Sequence, residues 1–472
     1  MPEVSADARF RESSHSHAAS RRLEKCDQVS LELTTFLPSS TASLHFLPGT
    51  RDIGGAHGGC PHLTDCESCH LIIRSCCSGF VRTRASVLFL CFPLSGVFRM
   101  RRVCLAAAVA AVVPIFAARL AADDFQYQFQ DIQIPKATAD EPVRGQLSTA
   151  AAGQYLEQAS LAWSGQRNCV SCHTNGTYMT IRPALTPTLG APNTANRTFF
   201  LEQMAKLKEQ PVDRLKQSTR PAQVIYIAAG LAEWDAHVTG SLSSETSAAL
   251  ELMFSIQTEE GTWGTLDCWP PFESDAWHEA TVAAMAAAAA PGWLEAVRSS
   301  TDRPHLKAAV EKLEAYLRSD KAPHDYGRVL QLWAAARMPQ LLDDARRQQL
   351  VEMLWKHQRP DGSWSIRSFA APEAWGSGNR AARLRAEADL ENPAGDGHMT
   401  GLAVIVLREH NIAADDPRLQ KAISWLSSNQ RESGRWWTRS LNTDSWHFIT
   451  YSGTAYPLLA LQMCNAVPVA AK

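Results

Sequence analysis

The residues whose types and spacing are best suited to chemistry lie in Cys169-Val170-Ser171-Cys172-His173. Two thiols three residues apart can each form a thioether to one vinyl group on the same porphyrin edge. A histidine directly after them can give a ring nitrogen to the iron. The spacing therefore predicts covalent haem c, with Cys169 and Cys172 as attachment points and His173 as axial ligand. The alternatives are a redox Cys-x-x-Cys pair or part of a zinc site. Zinc needs two further ligands at matching spacing, and downstream only scattered Cys268 and Cys464 offer thiols. For the opposite face of the iron, Met179 lies close in sequence to His173, and Met204 and several histidines are further candidates. Two strong axial ligands favour electron transfer, whereas an open position favours ligand or peroxide chemistry.

A second constellation is repeated. Ser274-Asp275-Ala276-Trp277-His278 and Thr443-Asp444-Ser445-Trp446-His447 share one pattern, and Asp396-Gly397-His398 is related to it. An Asp beside a His can orient the imidazole, tune its basicity or act as a general acid. Asp275, His278, Asp396, His398, Asp444 and His447 are thus candidate catalytic residues. The same residues also suit a purely local role: Ser274, Asp275, Thr443 and Asp444 as helix N-caps, with the Trp packing and the His marking a helix start. Both roles can coexist, since a cap also sets the position of its neighbours.

The elements that must position these groups are helical. From about Gly153 apolar residues recur at spacings of three and four, as in Tyr155, Leu156, Ala159 and Trp163. No convincing alternating strand is expected anywhere. Gln257-x-x-x-Gly261-x-Trp263 recurs as Gln358-x-x-x-Gly362-x-Trp364 and as Gln430-x-x-x-Gly434-x-Trp436. Each copy follows an apolar helix (Ala248 to Ile256, Leu350 to Trp355, Ile423 to Leu426) and precedes a small-residue-rich one (Ala280 to Ala290, Thr400 to Leu407, Ser452 to Leu461). The repeat reads as helix–turn–helix units that bury their faces only by stacking. In that reading Gly ends the first helix in a conformation other residues resist, Gln bonds free helix-end groups and Trp packs in the connection. The longer gap between the first two copies holds an unmarked pair around His305–Arg318 and Tyr326–Arg337.

These turns resemble those of the squalene–hopene cyclase and protein prenyltransferase superfamily, over about residues 240–465. The resemblance implies an all-α fold, an α/α toroid of inner and outer helices around a central cavity, here assigned to residues 151–465. The haem motif would then occupy a fourth turn between two helices of the toroid; exported cytochrome-like proteins are the second resemblance. The cyclase chemistry of the family needs an Asp-x-Asp-Asp motif, but Ala414-Asp415-Asp416-Pro417 lacks the first Asp. The prenyltransferase zinc site uses an Asp-x-Cys pair, whereas Asp267 and Cys268 are adjacent here.

Composition sets the remaining limits. The chain has 472 residues, 45% hydrophobic and 20% charged, with a formal net charge of −2. No basic block points to nucleic acid. Eight of the 12 cysteines precede residue 105, so the body is not a disulfide scaffold. Met100-Arg101-Arg102, an apolar run from Val103 to Ala118, and Leu120-Ala121-Ala122 read as an export signal over 100–122. Export to the periplasm follows, or membrane anchoring through 103–118 if the signal is retained. Residues 1–99 read as disordered or as lying outside the natural product. Cys66-Glu67-Ser68-Cys69-His70 precedes the signal, whereas haem is attached after export, so this match reads as accidental. Residues 123–150 read as a polar linker or arm with Pro135 and Pro142 as breakers. The chain is thus expected to be an exported mono-haem protein that exchanges electrons with a redox partner or acts on a small ligand in the cavity. The alternatives are a cavity enzyme of cyclase or lyase type using the Asp/His pairs, or a binding module.

Overall fold

A computed structural model describes residues 125–267, 269–319 and 321–469; the export signal, residues 1–99 and Cys268 lie outside them. Among the described residues helix accounts for 60% and strand for 3%, with 16 α-helices, so the fold is all-α. Twelve helices form six consecutive pairs: α1 (Thr149–Arg167) with α2 (Thr177–Ile181), α3 (Thr194–Lys208) with α4 (Arg220–Trp234), α5 (Ser244–Ser255) with α6 (Ala276–Ala289), α7 (Pro304–Arg318) with α8 (Asp325–Arg337), α9 (Asp344–Lys356) with α10 (Gly397–Glu409), and α11 (Pro417–Ser428) with α12 (Ser452–Met463). The unmarked pair expected between the first two repeats is α7 and α8.

Sequence composition separates the two members of each pair. The first members α7 and α11 are amphipathic. Only Leu306, Val310, Leu313, Glu314 and Leu317 are buried on α7, and Leu419, Ala422, Ile423 and Leu426 on α11. Among the second members, α10 is buried at every position from Gly397 to Leu407, and α12 from Ser452 to Leu461. A helix apolar or small on all sides must be covered on all sides. That is what the packing provides: α2 lies against α4, α4 against α6, α6 against α8, α8 against α10, α10 against α12, and α12 returns to α2. The first members lie against this closed circuit, with α3 and α5 on α4, α7 on α6, α9 on α8, α11 on α10 and α12, and α1 on α12 and α2.

The repeated turns show why their three residues recur. Gly261, Gly362 and Gly434 sit at φ of 92°, 90° and 87°, where an L side chain is strained. They also touch the backbone of the next pair's first helix: a Cβ on Gly362 would lie 2.6 Å from the Lys421 carbonyl carbon, and one on Gly434 2.5 Å from that of Ala151. The glycine lies within the turn instead of ending the helix, because close approach of the next helix is what demands it. Each Gln binds two carbonyls through Nε2: Gly261 and Ala309 for Gln257, Gly362 and Arg418 for Gln358, Gly434 and Ser148 for Gln430. Gln thereby ties the turn to the next helix, not to its own helix end. The helix end is served by Trp. The indole N–H of Trp263, Trp364 and Trp436 donates to Met253, Leu354 and Leu426, each at 2.8 Å.

The expectation that no strand occurs is corrected by a hairpin in the arm. Strands β1 (Phe125–Phe129) and β2 (Ile132–Pro135) pair antiparallel. Phe-Gln-Tyr-Gln-Phe and Ile-Gln-Ile do alternate with period two, a signal too short to stand out beside the long helical runs. The arm is docked, with Tyr127 fully buried. Arg435 donates to Pro135 O and pairs with Glu141 at 2.9 Å, Arg431 donates to Glu141 O, and Arg144 N donates to Gln430 O at 2.7 Å. The first helical pair is thus clamped to the last turn.

Gly362→Ala is expected to destabilise the protein by at least about 2 kcal/mol, combining backbone strain with overpacking. Gly145→Ala meets nothing within 4 Å and should stay within about 0.5 kcal/mol. Urea unfolding of both variants checks this; equal midpoints would show that the turn tolerates a side chain.

Candidate haem-attachment site

The Cys-x-x-Cys-His stretch forms the connection from α1 to α2. Helix α1 stops at Arg167, and Asn168 turns the chain with φ 51°. Fully buried Asn175 then staples the loop. Its Oδ1 accepts from Ser171 N at 2.8 Å, and its Nδ2 donates to Ser164 Oγ and Cys169 O, both at 3.1 Å. Trp163 Nε1 donates to the same Cys169 carbonyl at 3.1 Å. From Cys172 to Gly176 the backbone makes a single wide π-helical turn before α2 begins. Gly176 is required there, because its Cβ would fall 2.3 Å from Ser171 O and 2.7 Å from Tyr226 Cδ1. Thr177 Oγ1 donates to Cys172 O at 2.8 Å and completes the turn.

His173 Nδ1 shares a 2.7 Å hydrogen bond with Thr174 Oγ1, which in turn bonds Tyr127 Oη of the arm at 3.2 Å. Nε2 has no hydrogen-bond partner among the described residues. Metal-bound histidines commonly use one nitrogen for an orienting oxygen and the other for the metal. Burial, with the Arg167 charge adding, pushes the His173 pKa down to about 3, so the ring is neutral at pH 7 and has a lone pair to give. Phe448 stacks on the imidazole at 4.8 Å and 25°, and Trp163 meets it at 4.7 Å and 84°. A ring stacked on the imidazole face would orient His173 without covering the ring edge that carries Nε2. The donor set therefore fits haem c: Cys169 and Cys172 for the thioethers and His173 Nε2 for the iron.

The competing readings of the motif fare less well. Burial pushes the Cys172 thiol well up, and Glu273 and Glu279 add to the effect. A redox Cys-x-x-Cys pair works through a stabilised thiolate, the opposite of this environment. No group of three or more His, Cys, Asp or Glu suited to a metal ion occurs among the described residues, so nothing there completes a zinc site. Met179 is fully buried against Gly230 of α4, and Met204 is buried on α3. Both serve helix packing.

The Asp/His constellation divides. Asp275 Oδ1 accepts from His278 N, and Asp396 Oδ1 from Met399 N, each at 2.8 Å, so both are N-caps of α6 and α10. Asp396 Oδ2 also accepts from Ile366 N at 2.7 Å. Ser274 donates to Asp275 at 2.8 Å instead of capping. The N-cap expectation fails for Thr443 and Asp444. Asp444 is exposed and pairs with Arg383 at 2.9 Å, because α12 begins only at Ser452. None of the three aspartates hydrogen-bonds the ring of the histidine that follows it; Asp275 Oδ2 lies 3.7 Å from Nε2 of a different histidine, His324. His278 Nε2 instead bonds Tyr226 Oη, and His398 Nε2 bonds Tyr326 Oη, both at 3.1 Å. In each case the tyrosine stands on the preceding even-numbered helix. Phe272, after the cis Pro270–Pro271 bond, sits edge-on to both rings at 5.9 and 5.7 Å. His447 accepts from Ser440 N at 3.0 Å and packs against Trp437. Burial depresses all three, His278 and His447 to about 4 and His398 to about 3.

Of these three histidines His278 lines a cavity of about 40 Å³, together with Thr177, Tyr226, Tyr326, Trp333 and Tyr456 among others. It accommodates water-sized occupants and is far too small for a porphyrin. Two residues missing from the sequence reading emerge near Cys172, Glu273 and Glu279. Both are buried, Glu273 Oε1 and both oxygens of Glu279 lack hydrogen-bond partners, and burial raises the Glu273 pKa to about 8 and that of Glu279 well above its usual range. The available signal was a carboxylate in the first turn of Trp-His-Glu-Ala-Thr-Val-Ala-Ala-Met-Ala-Ala-Ala-Ala, a helix otherwise fit only for burial.

No family model matches the chain, and no curated protein matches it significantly.

The buried histidines make a pH prediction. His398 is neutral in the fold and titrates near 6.5 when unfolded, so below that value the unfolded chain binds the extra proton and stability falls as pH falls. Replacing His398 by Gln removes this contribution while leaving the oppositely directed Asp396 and Glu273 shifts in place. The stability gap between native protein and variant should narrow by about 2 kcal/mol from pH 6.5 to about pH 5. A constant gap in denaturant titrations would show that His398 titrates as in a free peptide.

Proposed function

We propose that this chain is an exported mono-haem c-type protein in which an α/α toroid carries the haem-attachment turn and which works in electron transfer or haem-dependent redox chemistry. The observation that carries the reading is the geometry of His173: oriented through Nδ1 by Thr174, with Nε2 left for iron beside two cysteines on one turn. Haem at this position would supply one-electron exchange, or ligand binding if the sixth position is open. The residues of the chain hold and orient it: Asn175 and Gly176 shape the turn, and Tyr127 and Thr174 fix the imidazole. The toroid reading is supported by the closed circuit of all-buried helices and by the three equivalent Gln/Gly/Trp turns, features that resemble the squalene–hopene cyclase and protein prenyltransferase superfamily. Export is supported by the signal-like segment 100–122 and by the chemistry of haem attachment, which follows translocation. Among the described residues no single helix is long and apolar enough to cross a membrane; anchoring would fall to 103–118.

A second reading is a cavity enzyme of cyclase or lyase type. It would rest on His278, which lines the cavity, with Asp275 capping its helix and the unpaired buried carboxyl of Glu279 next in sequence.

Production of the chain from Met100 with haem-attachment machinery separates the two. Denatured protein is expected to keep a covalently bound Soret absorber. Cys169→Ala with Cys172→Ala should abolish retention, and carbon monoxide should shift the reduced spectrum only if the sixth position is open. A native chain without retained haem would sink the cytochrome reading and leave the cavity enzyme.

A further inference from the structure

Beyond holding a haem, the site has an aromatic route to the surface. Trp446 stacks on Phe448 with centroids 5.8 Å apart and planes 6° from parallel, and Phe448 stacks on His173 at 4.8 Å and 25°. Trp163 braces both, lying edge-on to Phe448 at 5.5 Å and to His173 at 4.7 Å. The ammonium of Lys136, just past β2, lies 4.6 Å from the centroid of the Trp446 ring. Trp446, Phe448 and His173 are each partly exposed, so the column opens to solvent. Such stacking is worth only about 0.5–1.5 kcal/mol per pair beyond area burial. A half-exposed Trp followed by a half-exposed Phe is a costly way to gain it, since both would be better buried.

We propose that Trp446, Phe448 and His173 form the electron-transfer route between the iron bound at His173 and an outer-sphere redox partner that touches Trp446. This rests on the haem reading above. Electron tunnelling falls steeply with through-space distance, and a column of near-parallel rings ending on the axial ligand replaces gaps with contiguous π orbitals. A cation above the indole makes removal of its electrons harder, so the column bridges the two redox centres without being oxidised itself. A haem held at His173 would supply one electron to the partner, and no bond would form or break. The positive charge of Lys136 favours an anionic partner at the mouth of the column.

The test uses the haem-loaded native chain, reduced and mixed in stopped flow with hexacyanoferrate(III), an anionic one-electron oxidant, and in parallel with hexaammineruthenium(III), a cationic one. Trp446→Leu is expected to slow oxidation by hexacyanoferrate about tenfold with the Soret band and midpoint potential unchanged, since Trp446 reaches His173 only through Phe448. Lys136→Gln should slow the anionic oxidant and not the cationic one. Phe199→Leu, a half-buried ring on α3 outside the column, should leave both rates alone. Retained Soret absorption with Trp446→Leu oxidised by hexacyanoferrate at a rate within about twofold of native would overturn the route while leaving the haem reading intact. A native chain that retains no Soret band overturns the haem reading and the route with it.

Discussion

Burial of helices that have no polar face constrains everything else in this fold. Helices such as α10 and α12 carry Ala, Gly, Leu, Val and Thr around their whole circumference, so no surface of either can be left to water without losing about 25 cal/mol per Å² of apolar area. An open stack of pairs would expose the first and last members. Return of α12 to α2 removes those ends, and the closure is reinforced from outside. Gln430 and Gly434 dock on the start of α1 as Gln257 and Gly261 dock on α7, and Glu141 of the arm receives Arg435. The haem-motif turn sits beside this seam. Its His173 touches Phe448 from the last connection and, through Thr174, Tyr127 from the arm. The site is therefore assembled from both ends of the helical array and exists only once the array has closed.

The repeat itself was readable because its chemistry is local. A positive-φ glycine, an indole that reaches back ten residues and a glutamine that reaches a neighbouring backbone need the same three residues every time, so the pattern survives in the linear sequence. The unmarked pair α7 and α8 was readable from periodicity alone, since α7 has a clean amphipathic stripe. The finer roles of Gln and Trp were not, because two side chains that can each satisfy a carbonyl are distinguished only by which carbonyl lies near. The hairpin β1–β2 was missed for a different reason. Five alternating residues are a weak signal, and the docking that stabilises them comes from residues some 300 positions away, such as Arg435 on Pro135 O.

The Asp/His pairs show how one sequence pattern can hide two structural fates. Asp275 and Asp396 precede helices directly and become caps. Asp444 stands in a connector that runs on to Ser452 and is drawn out to Arg383 and Arg439. What unites His278 and His398 is not the aspartate but the tyrosine on the preceding even-numbered helix, Tyr226 or Tyr326, a long-range partner that spacing cannot reveal. Once burial holds these imidazoles neutral, they are suited to hydrogen bonding and not to carrying charge at pH 7.

Glu279 is the exception that packing does not explain. A helix of alanines offers no reason for a carboxyl, and a buried carboxyl with neither oxygen paired costs on the order of 1–3 kcal/mol even when protonated. By contrast, Arg337 lies between Glu233 and Glu409, and Arg367 pairs with Glu387, so at those sites the charge is compensated. Glu279 and Glu273 both raise the Cys172 thiol pKa, and Glu273 also raises that of Glu279. A neutral sulfur is what a thioether is, so a thioether at Cys172 tolerates these acids where a thiolate would be opposed by them. The acid pair and a neutral sulfur at Cys172 are thus mutually consistent.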